Sequence, residues 1–170
     1  KMIQEQKQAL HIENGKSFSR SEANENERRW DDRKIDQLNR DPANNYDRTR
    51  MHLNFEIGSD GKIYPLGYMD KRLDERIQER LDELEYHPFK ADSKIQPNIC
   101  ARLIIGGNHE RTLEMAFGIQ TVDLNKGADN SHLRRCREVE DWAMDSYRWC
   151  CEQFGKENVI GFQVHLDEKS

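Results

Sequence analysis

Apolar and polar residues alternate along two stretches of the chain, a pattern typical of strands that bury one face. Residues 51–57 place Met, Leu, Phe and Ile at every second position, with His52, Asn54 and Glu56 between them. Residues 158–166 alternate in the same way. Both stretches are predicted to be strands, and a Gly-rich turn directly after the first predicts that it continues into a hairpin.

Other stretches carry apolar residues at the spacing of amphipathic helices. Helices are predicted at 70–86, 109–117 and 131–154, and a polar helix at 21–32. The predicted N-caps are Asp70, Asn108, Ser131 or His132, and Ser19 or Ser21, and Gly155 is predicted to end the longest helix.

Short apolar runs and breaks complete the prediction. A strand is predicted at 8–12 and another at 99–105, the second buried on both faces because it is mostly apolar. Breaks are predicted at 41–47 and at Pro88. The fold class predicted is α+β, a single domain over residues 1–170 with an antiparallel β-sheet flanked by helices in a two-layer or three-layer sandwich.

Composition limits the cellular setting. Hydrophobic and charged residues each make up 35% of the chain, and no apolar run approaches the roughly 20 residues of a membrane span. Residues 1–12 are too polar for the apolar centre of a signal peptide. We therefore expect a cytoplasmic protein with no membrane insertion.

Charge is distributed unevenly along the chain. The net charge is -5, but residues 1–50 carry a balance of +1 and residues 51–170 a balance of -6. The first of these regions contains Arg20, Arg28, Arg29, Arg33, Lys34, Arg40, Arg48 and Arg50. These side chains can line a track for phosphates or form a solvated, salt-bridged surface, and composition alone leaves both interpretations open.

Three groups of residues could carry chemistry. His165 ends the predicted second strand and Glu168 follows where the chain turns, a pair suited to Mn²⁺, Zn²⁺ or Mg²⁺ or to a plain surface contact. His52, Asn54 and Glu56 form either the solvent face of an edge strand or the lining of a cleft. Residues 44–50 combine Tyr46 with two arginines and two asparagines, a set suited to phosphates.

Three motifs in this order resemble those of a known family. They are Asn-Glu-Asn-Glu-Arg at 24–28, Arg-x-Arg-x-His-Leu-Asn-Phe-Glu at 48–56, and Phe-Gly-x-x-Asn-Val-x-x-Phe-x-Val-His-Leu-Asp-Glu at 154–168. The chain resembles the Mob/Pre plasmid mobilisation and recombination proteins, which are relaxases of the His-hydrophobe-His endonuclease superfamily. The resemblance covers most of the chain, and the last motif is its most specific part.

The resemblance implies a bacterial nuclease that nicks one strand at the transfer origin of a plasmid or mobile element. Such an enzyme stays covalently attached to the 5′ phosphate, rejoins the strand later, and works with relaxosome accessory proteins. The implied cofactor is Mn²⁺ or Mg²⁺, with Zn²⁺ as an alternative, bound by His165 and Glu168. In the family a Pro-His-x-His element follows this motif, so the metal site is expected to be incomplete within this chain.

Roles for the remaining residues follow from the same resemblance. The implied catalytic residues are Glu25, Tyr46, Arg28 and His52, and the implied DNA-binding residues are Arg20, Arg28, Arg48, Arg50, Asn54 and Trp30. Guanidinium groups fit phosphate oxygens in pairs, and aromatic rings stack on unpaired bases. Trp30 and Tyr46 can equally be packing residues.

The identity of the nucleophile stays open at this point. Glu25 occupies the position at which one branch of the family has a histidine, and Tyr46 is the rival because tyrosine is the usual nucleophile of the wider superfamily. Two alternative functions also stay open. One is a DNA-binding module of the same descent that no longer nicks, and the other is an initiator that nicks a replication origin.

Overall fold

The computed structural model describes residues 9–87 and 94–169, so Gln8 and Pro88, which belong to a predicted strand and a predicted break, lie outside it. The strands are β1 (Ala9–Gly15), β2 (Phe55–Ile57), β3 (Ile63–Pro65), β4 (Cys100–Gly106) and β5 (Gln163–Val164). The α-helices are α1 (Arg20–Asn26), α2 (Asp32–Arg40), α3 (Leu73–Glu83), α4 (His109–Phe117) and α5 (Arg137–Phe154), and short 3₁₀ helices span Arg48–Leu53 and Lys156–Asn158. None of the helices in these two ranges is long and apolar enough to cross a bilayer.

Two antiparallel sheets with helices against them confirm the predicted α+β class. The three-stranded sheet has the order β3-β2-β5, so β2 is its central strand, with Phe55 opposite Val164. The main core lies on one side of this sheet and consists of buried side chains from β2, β5, α4 and α5. Among them are Phe55, Phe117, Val139, Ala143 and Val164.

The second sheet is a ribbon of β1 and β4, in which Ala9 pairs with Gly106 and Gly15 with Cys100. The prediction that 99–105 is buried on both faces is wrong, because Ile104 is 63% exposed and no residue of β4 is fully buried. A run of apolar residues shows that a segment prefers burial, but a ribbon of two strands has too few neighbours to cover it.

Two predicted helices start or end elsewhere. α5 begins at Arg137 rather than at Ser131 or His132, because the backbone before it bonds other partners: the Leu133 N–H donates to Asn130 and the Cys136 N–H to Ala116. α3 begins after Arg72, and Asp70 does not cap it. The caps predicted at Ser19, Asn108 and Gly155 are confirmed.

The predicted helix at 21–32 is correct only over α1, which ends at Asn26 before a sharp turn at Arg28, and α2, which was not predicted, starts at the last residue of that range. Arg28 has a φ of +50°, a left-handed conformation that costs a non-glycine residue about 1 kcal/mol or more. The polar pattern concealed the early end of α1, because nothing in it distinguishes a short solvated helix from a longer one. The break turns the Arg28 side chain away from the helix axis and towards the C-terminal segment.

The predicted strand at 51–57 is half correct. Its first residues belong to the 3₁₀ helix Arg48–Leu53, whose N-cap Asp47 accepts a hydrogen bond from the Thr49 N–H at 3.0 Å. The predicted strand at 158–166 is regular only at Gln163 and Val164. The face predicted to be buried is correct at Val164 and Leu166, which are 7% and 5% exposed.

Candidate functional site

Backbone pairing joins the segment around residue 46 to the segment around residue 168. Tyr46 and Glu168 form an antiparallel bridge, the Asp47 N–H donates to the Asp167 carbonyl at 2.7 Å, and the Lys169 N–H donates to the Asn45 carbonyl at 2.9 Å. The end of α1 lies against the same place. Parts of the three motifs identified in the sequence therefore meet at one point of the molecule.

The two candidate nucleophiles are in direct contact. The Tyr46 hydroxyl donates a hydrogen bond to Glu25 Oε1 at 2.7 Å. Burial, together with this bond and the neighbouring carboxylate charge, raises the pKa of Tyr46 to about 12, although the positive charge of Arg28 acts in the opposite direction. Tyr46 is therefore a neutral phenol at pH 7 with a carboxylate positioned to receive its proton.

Arg28 is the central cation of the site, and its side chain is only 6% exposed. Its Nε and Nη2 atoms donate to the two carboxylate oxygens of Asp167 at 2.9 and 3.0 Å, and Nη2 also lies 3.3 Å from Glu168 Oε1. The guanidinium carbon is 4.6 Å from the centroid of the Tyr46 ring and 5.3 Å from that of Trp30. This bidentate pair and the two rings fix Arg28 against the Tyr46 ring.

His165 approaches the cluster from the other side. Its Nε2 atom lies 2.7 Å from the Asn26 carbonyl, so this nitrogen carries the proton of the neutral ring. Its Nδ1 atom is 4.0 Å from Glu168 Oε1. Burial, and then the charge of Arg28, lowers the pKa of His165, which keeps the imidazole neutral.

These two side chains fit the chemistry of a metal ligand pair. A neutral imidazole whose second nitrogen is held by a carbonyl is a common metal-binding arrangement, and the free Nδ1 faces a carboxylate. Within the described ranges, however, no group of three His, Cys, Asp or Glu side chains is arranged to hold a metal ion. His165 and Glu168 thus supply two ligands, and Arg28 competes for the same carboxylate oxygen.

A network of buried hydrogen bonds holds the segments that carry the cluster. Arg50 is 1% exposed, and its guanidinium donates to Asp47 at 2.9 Å and to the carbonyls of Leu166 and Glu168 at 3.0 Å. Asn54 is 2% exposed and accepts from the Leu166 N–H at 2.6 Å. Both were expected to bind DNA, but the structure places them inside the protein, where they hold the C-terminal segment in position.

The other expected site residues lie near the surface. Arg48 is half exposed and pairs with Asp36 at 2.9 Å, and Arg20 is exposed at the start of α1. His52 is exposed and lines an open depression with His132 and other residues of 131–135. In the described part of the chain, the His52 side chain makes no hydrogen bond or ion pair, so no such contact connects it to the Tyr46 cluster.

Sequence reasoning missed two residues of this region. Asp167 is fully buried and holds Arg28, and its position inside the His-Leu-Asp-Glu motif was the available signal. Asn130 is also fully buried, and its side-chain amide donates to Asp47 Oδ2 at 2.9 Å and to the Asp123 carbonyl at 2.8 Å. Nothing in its local sequence indicates this role.

Comparison with known proteins adds no relative: no protein-family model, curated protein or solved structure matches the chain.

Proposed function

We propose that this chain is a relaxase domain of the Mob/Pre type, which nicks and rejoins one DNA strand at the transfer origin of a plasmid or mobile element. The observation that carries the proposal is the hydrogen bond between Tyr46 and Glu25, formed beside the Arg28 guanidinium. A nucleophile, a proton acceptor and a cation for the phosphate are the minimum set for transesterification on phosphorus. Glu25 and Arg28 come from the first of the motifs that suggested the family, and Tyr46 lies two positions before the second.

In the proposed reaction Tyr46 is the nucleophile and Glu25 its general base. The Tyr46 oxygen bonds to phosphorus as its proton passes to Glu25 Oε1, and the bond from phosphorus to the 3′ oxygen breaks. The 3′ oxygen leaves and takes a proton from solvent, while the 5′ phosphate stays on Tyr46. Attack by the 3′ hydroxyl on this phosphotyrosine reverses the sequence and rejoins the strand.

The neighbouring side chains position the strand. Arg28 faces the Tyr46 ring and can pair with a phosphate oxygen, while Trp30, whose ring packs edge-on to Tyr46 at 5.0 Å, can stack on an unpaired base. A divalent cation, Mn²⁺ or Mg²⁺ by this proposal, would be held by His165 and Glu168 and would polarise the scissile phosphate. The proposed setting is the bacterial cytoplasm, with DNA and relaxosome proteins as partners.

A covalent adduct tests the proposal. The protein is incubated with Mn²⁺ and with overlapping single-stranded oligonucleotides that cover both strands of the DNA flanking its gene. We expect one oligonucleotide to form an adduct, which peptide mass spectrometry maps to Tyr46. Tyr46→Phe should abolish this adduct, and Glu25→Gln should slow its formation by about 10²-fold or more, the usual contribution of a general base.

The matched control is Tyr86→Phe, since Tyr86 is 37% exposed and lies outside the cluster. It should form the adduct at the wild-type rate. An adduct on Glu25 would keep the relaxase function and exchange the two roles. Failure of every oligonucleotide to form an adduct, with a folded protein and DNA binding intact, would contradict nicking.

That last outcome would favour a second candidate, a DNA-binding module of the same descent that does not nick. The observation in its favour is the pKa of Tyr46, raised to about 12, because a phenol that resists ionisation is a weaker nucleophile. In addition, two nitrogen atoms of the Arg28 guanidinium already donate to Asp167, and the third donates to the Glu25 carbonyl. Such a module would bind single strands at the same surface without a change in covalent structure.

A further inference from the structure

A second polar cavity adjoins Tyr46, and His165 is not among its lining residues. It has a volume of about 300 Å³ and lies between the end of α2, the start of the 3₁₀ helix Arg48–Leu53 and the loop at 125–128. This volume is at the lower end of the range for small-molecule sites. Tyr46 belongs both to the cluster and to the wall of this cavity, so a group bound here would lie next to the proposed nucleophile.

The charges around the cavity favour an anion. Lys126 and Lys169 both line it, and within the described residues neither ammonium group has an ion-pair partner. Arg48 lines it as well, and its contact with Asp36 is a half-exposed surface pair of the kind that contributes little and exchanges readily. Three cations therefore face the cavity with little to neutralise them.

The two carboxylates of the cavity wall do not cancel this charge. Asp47 is 7% exposed, and its oxygens are already taken by Arg50, Asn130 and Thr49. Asp41 is exposed at the rim, where one of its oxygens accepts from the Ala43 N–H at 2.9 Å. The free positive charge thus exceeds the free negative charge.

The wall also contains an unsatisfied donor. Asn39 Nδ2 is buried and has no hydrogen-bond partner, while its carbonyl oxygen accepts a long bond of 3.4 Å from Asn44. A buried amide without a partner is unfavourable. A small rotation of this side chain would direct the donor to an acceptor in the cavity, such as a phosphate oxygen or the edge of a base.

We propose that this cavity binds one phosphate-bearing nucleotide of a single DNA strand, adjacent to the nucleotide that meets Tyr46. The inference rests on the proposed function for the choice of DNA, and it names the place where the strand continues beyond the reacting phosphate. Lys126, Lys169 and Arg48 bind the phosphate, and Asn39 donates to the same nucleotide. The cavity admits a single nucleotide, so recognition here concerns one position of the strand.

The salt dependence of binding tests this inference without any need for nicking. Fluorescence anisotropy measures the binding of labelled single-stranded (dT)8 over a range of NaCl concentrations, for wild type and for the double variant Lys126→Gln/Lys169→Gln. Each phosphate neutralised on a single strand contributes about 0.7 to the slope of log K against log salt, and the cavity takes one phosphate, so the double variant should lower the magnitude of that slope by up to about 0.7. Asn39→Asp should also weaken binding, because it places a carboxylate in the wall without a change of shape.

The control is Lys62→Gln/Lys156→Gln, which removes the same charge at two exposed lysines outside the cavity. This control should keep the wild-type slope. Equal slopes for the two double variants, with equal thermal unfolding curves, would overturn the inference. Inorganic phosphate is the competing probe, added at the concentration of the phosphate groups in (dT)8. If it displaces (dT)8 at that concentration, the cavity is a site for free anions, and this result would also overturn the inference.

The two proposals fail separately. A protein that forms the Tyr46 adduct but shows no special role for Lys126 and Lys169 would be a relaxase whose strand takes another path. A protein that shows the expected change of slope but forms no adduct would bind a nucleotide in this cavity without nicking.

Discussion

Arg48 and Arg50 are two positions apart in the chain and have opposite environments. The Arg48 side chain is 48% exposed and pairs with a half-exposed Asp36. The Arg50 side chain is 1% exposed and bonds Asp47 and two carbonyl groups. The sequence suggested one role for both, but exposure assigns Arg48 to the surface that a ligand can reach and Arg50 to the framework beneath it.

Substitution of these arginines by methionine should separate the two environments. Arg50→Met leaves Asp47 as a buried charge that has lost its cation, and it should lower the free energy of unfolding by about 3–5 kcal/mol. Arg48→Met removes only a surface pair and should change it by no more than about 0.5 kcal/mol. Urea unfolding followed by circular dichroism measures both. Equal effects would mean that Asp47 is held well enough by its other partners.

At the scale of elements, the 3₁₀ helix Arg48–Leu53 depends on a loop that comes much later in the chain. The Asn130 side chain bonds Asp47 and both backbone groups of Asp123, and the Asn130 N–H donates to the Thr49 hydroxyl at 2.9 Å. One amide thus fastens the loop to the start of the helix. The same attachment connects two chain segments that line the cavity beside Tyr46, residues 47–49 and 125–128.

Loss of the Asn130 side-chain amide should destabilise both the 3₁₀ helix Arg48–Leu53 and the loop that contains Asn130. Asn130→Ala leaves buried donors and acceptors without partners and should lower the free energy of unfolding by about 2–4 kcal/mol. Hydrogen exchange of the backbone amides in 47–53 and 123–133 should speed up together. The control is Asn125→Ala, in the exposed part of the same loop. It should change neither the unfolding free energy nor the exchange rates. Independent exchange of the two segments in the Asn130 variant would contradict the coupling.

The elements that the sequence predicted well are those with a long periodic pattern. α3, α4 and α5 each present a repeated apolar stripe, and their positions were predicted within a few residues apart from the start of α5. The predicted strand at 51–57 was half wrong because alternation over a few residues also fits a tight turn of helix. What decides between them is the Asp47 cap, a local bond that hydrophobic patterning does not register.

The candidate site was predictable as a set of residues but not as a geometry. Glu25, Arg28, Tyr46, His165 and Glu168 were all chosen from their motifs, and the structure brings them together. The sequence could not show that Tyr46 and Glu25 share a hydrogen bond, since this depends on the left-handed break at Arg28 and on the pairing of Tyr46 with Glu168. The two residues that the sequence offered as alternative nucleophiles, Glu25 and Tyr46, are hydrogen-bonded to each other in the folded chain.

At the scale of the whole molecule, a second buried charge cluster joins α1, α3 and the central sheet. Glu27 is 1% exposed and accepts from Arg76 at 2.6 Å and from the Leu73 N–H at 3.0 Å. Glu56 is also 1% exposed; Gln163 donates to one of its oxygens, and the other has no hydrogen-bond partner. Burial raises the pKa of Glu56, so this carboxylate opposes folding when it is ionised.

This predicts a pH dependence of global stability. The folded-state pKa of Glu56 is raised above its unfolded value of about 4.3, so the folded protein binds this proton more tightly than the unfolded chain does. The stability that this proton contributes is fully present below that value and is lost as the pH rises through the folded-state pKa. Glu56→Gln removes this loss. The unfolding free energy of the variant minus that of wild type should therefore be larger at pH 7 than at pH 4. Urea unfolding at both pH values checks this.

The control for this prediction is Glu152→Gln, on the exposed side of α5. Its difference from wild type should be the same at pH 4 and pH 7. A Glu56→Gln variant that behaves like this control would show that Arg76, 4.0 Å away, already compensates the ionised Glu56.

The pairing of the segment around Tyr46 with the segment around Glu168 has a consequence for biosynthesis. Arg28 and Asp167 are separated by 139 positions, which a ribosome takes roughly 7–28 s to cover at about 5–20 residues per second. During that time Glu25, Arg28 and Tyr46 have been synthesised, but the segment 167–169 that holds them in place has not. The nascent chain therefore has no assembled cluster, and the cluster forms only after residues 165–168 have left the ribosome.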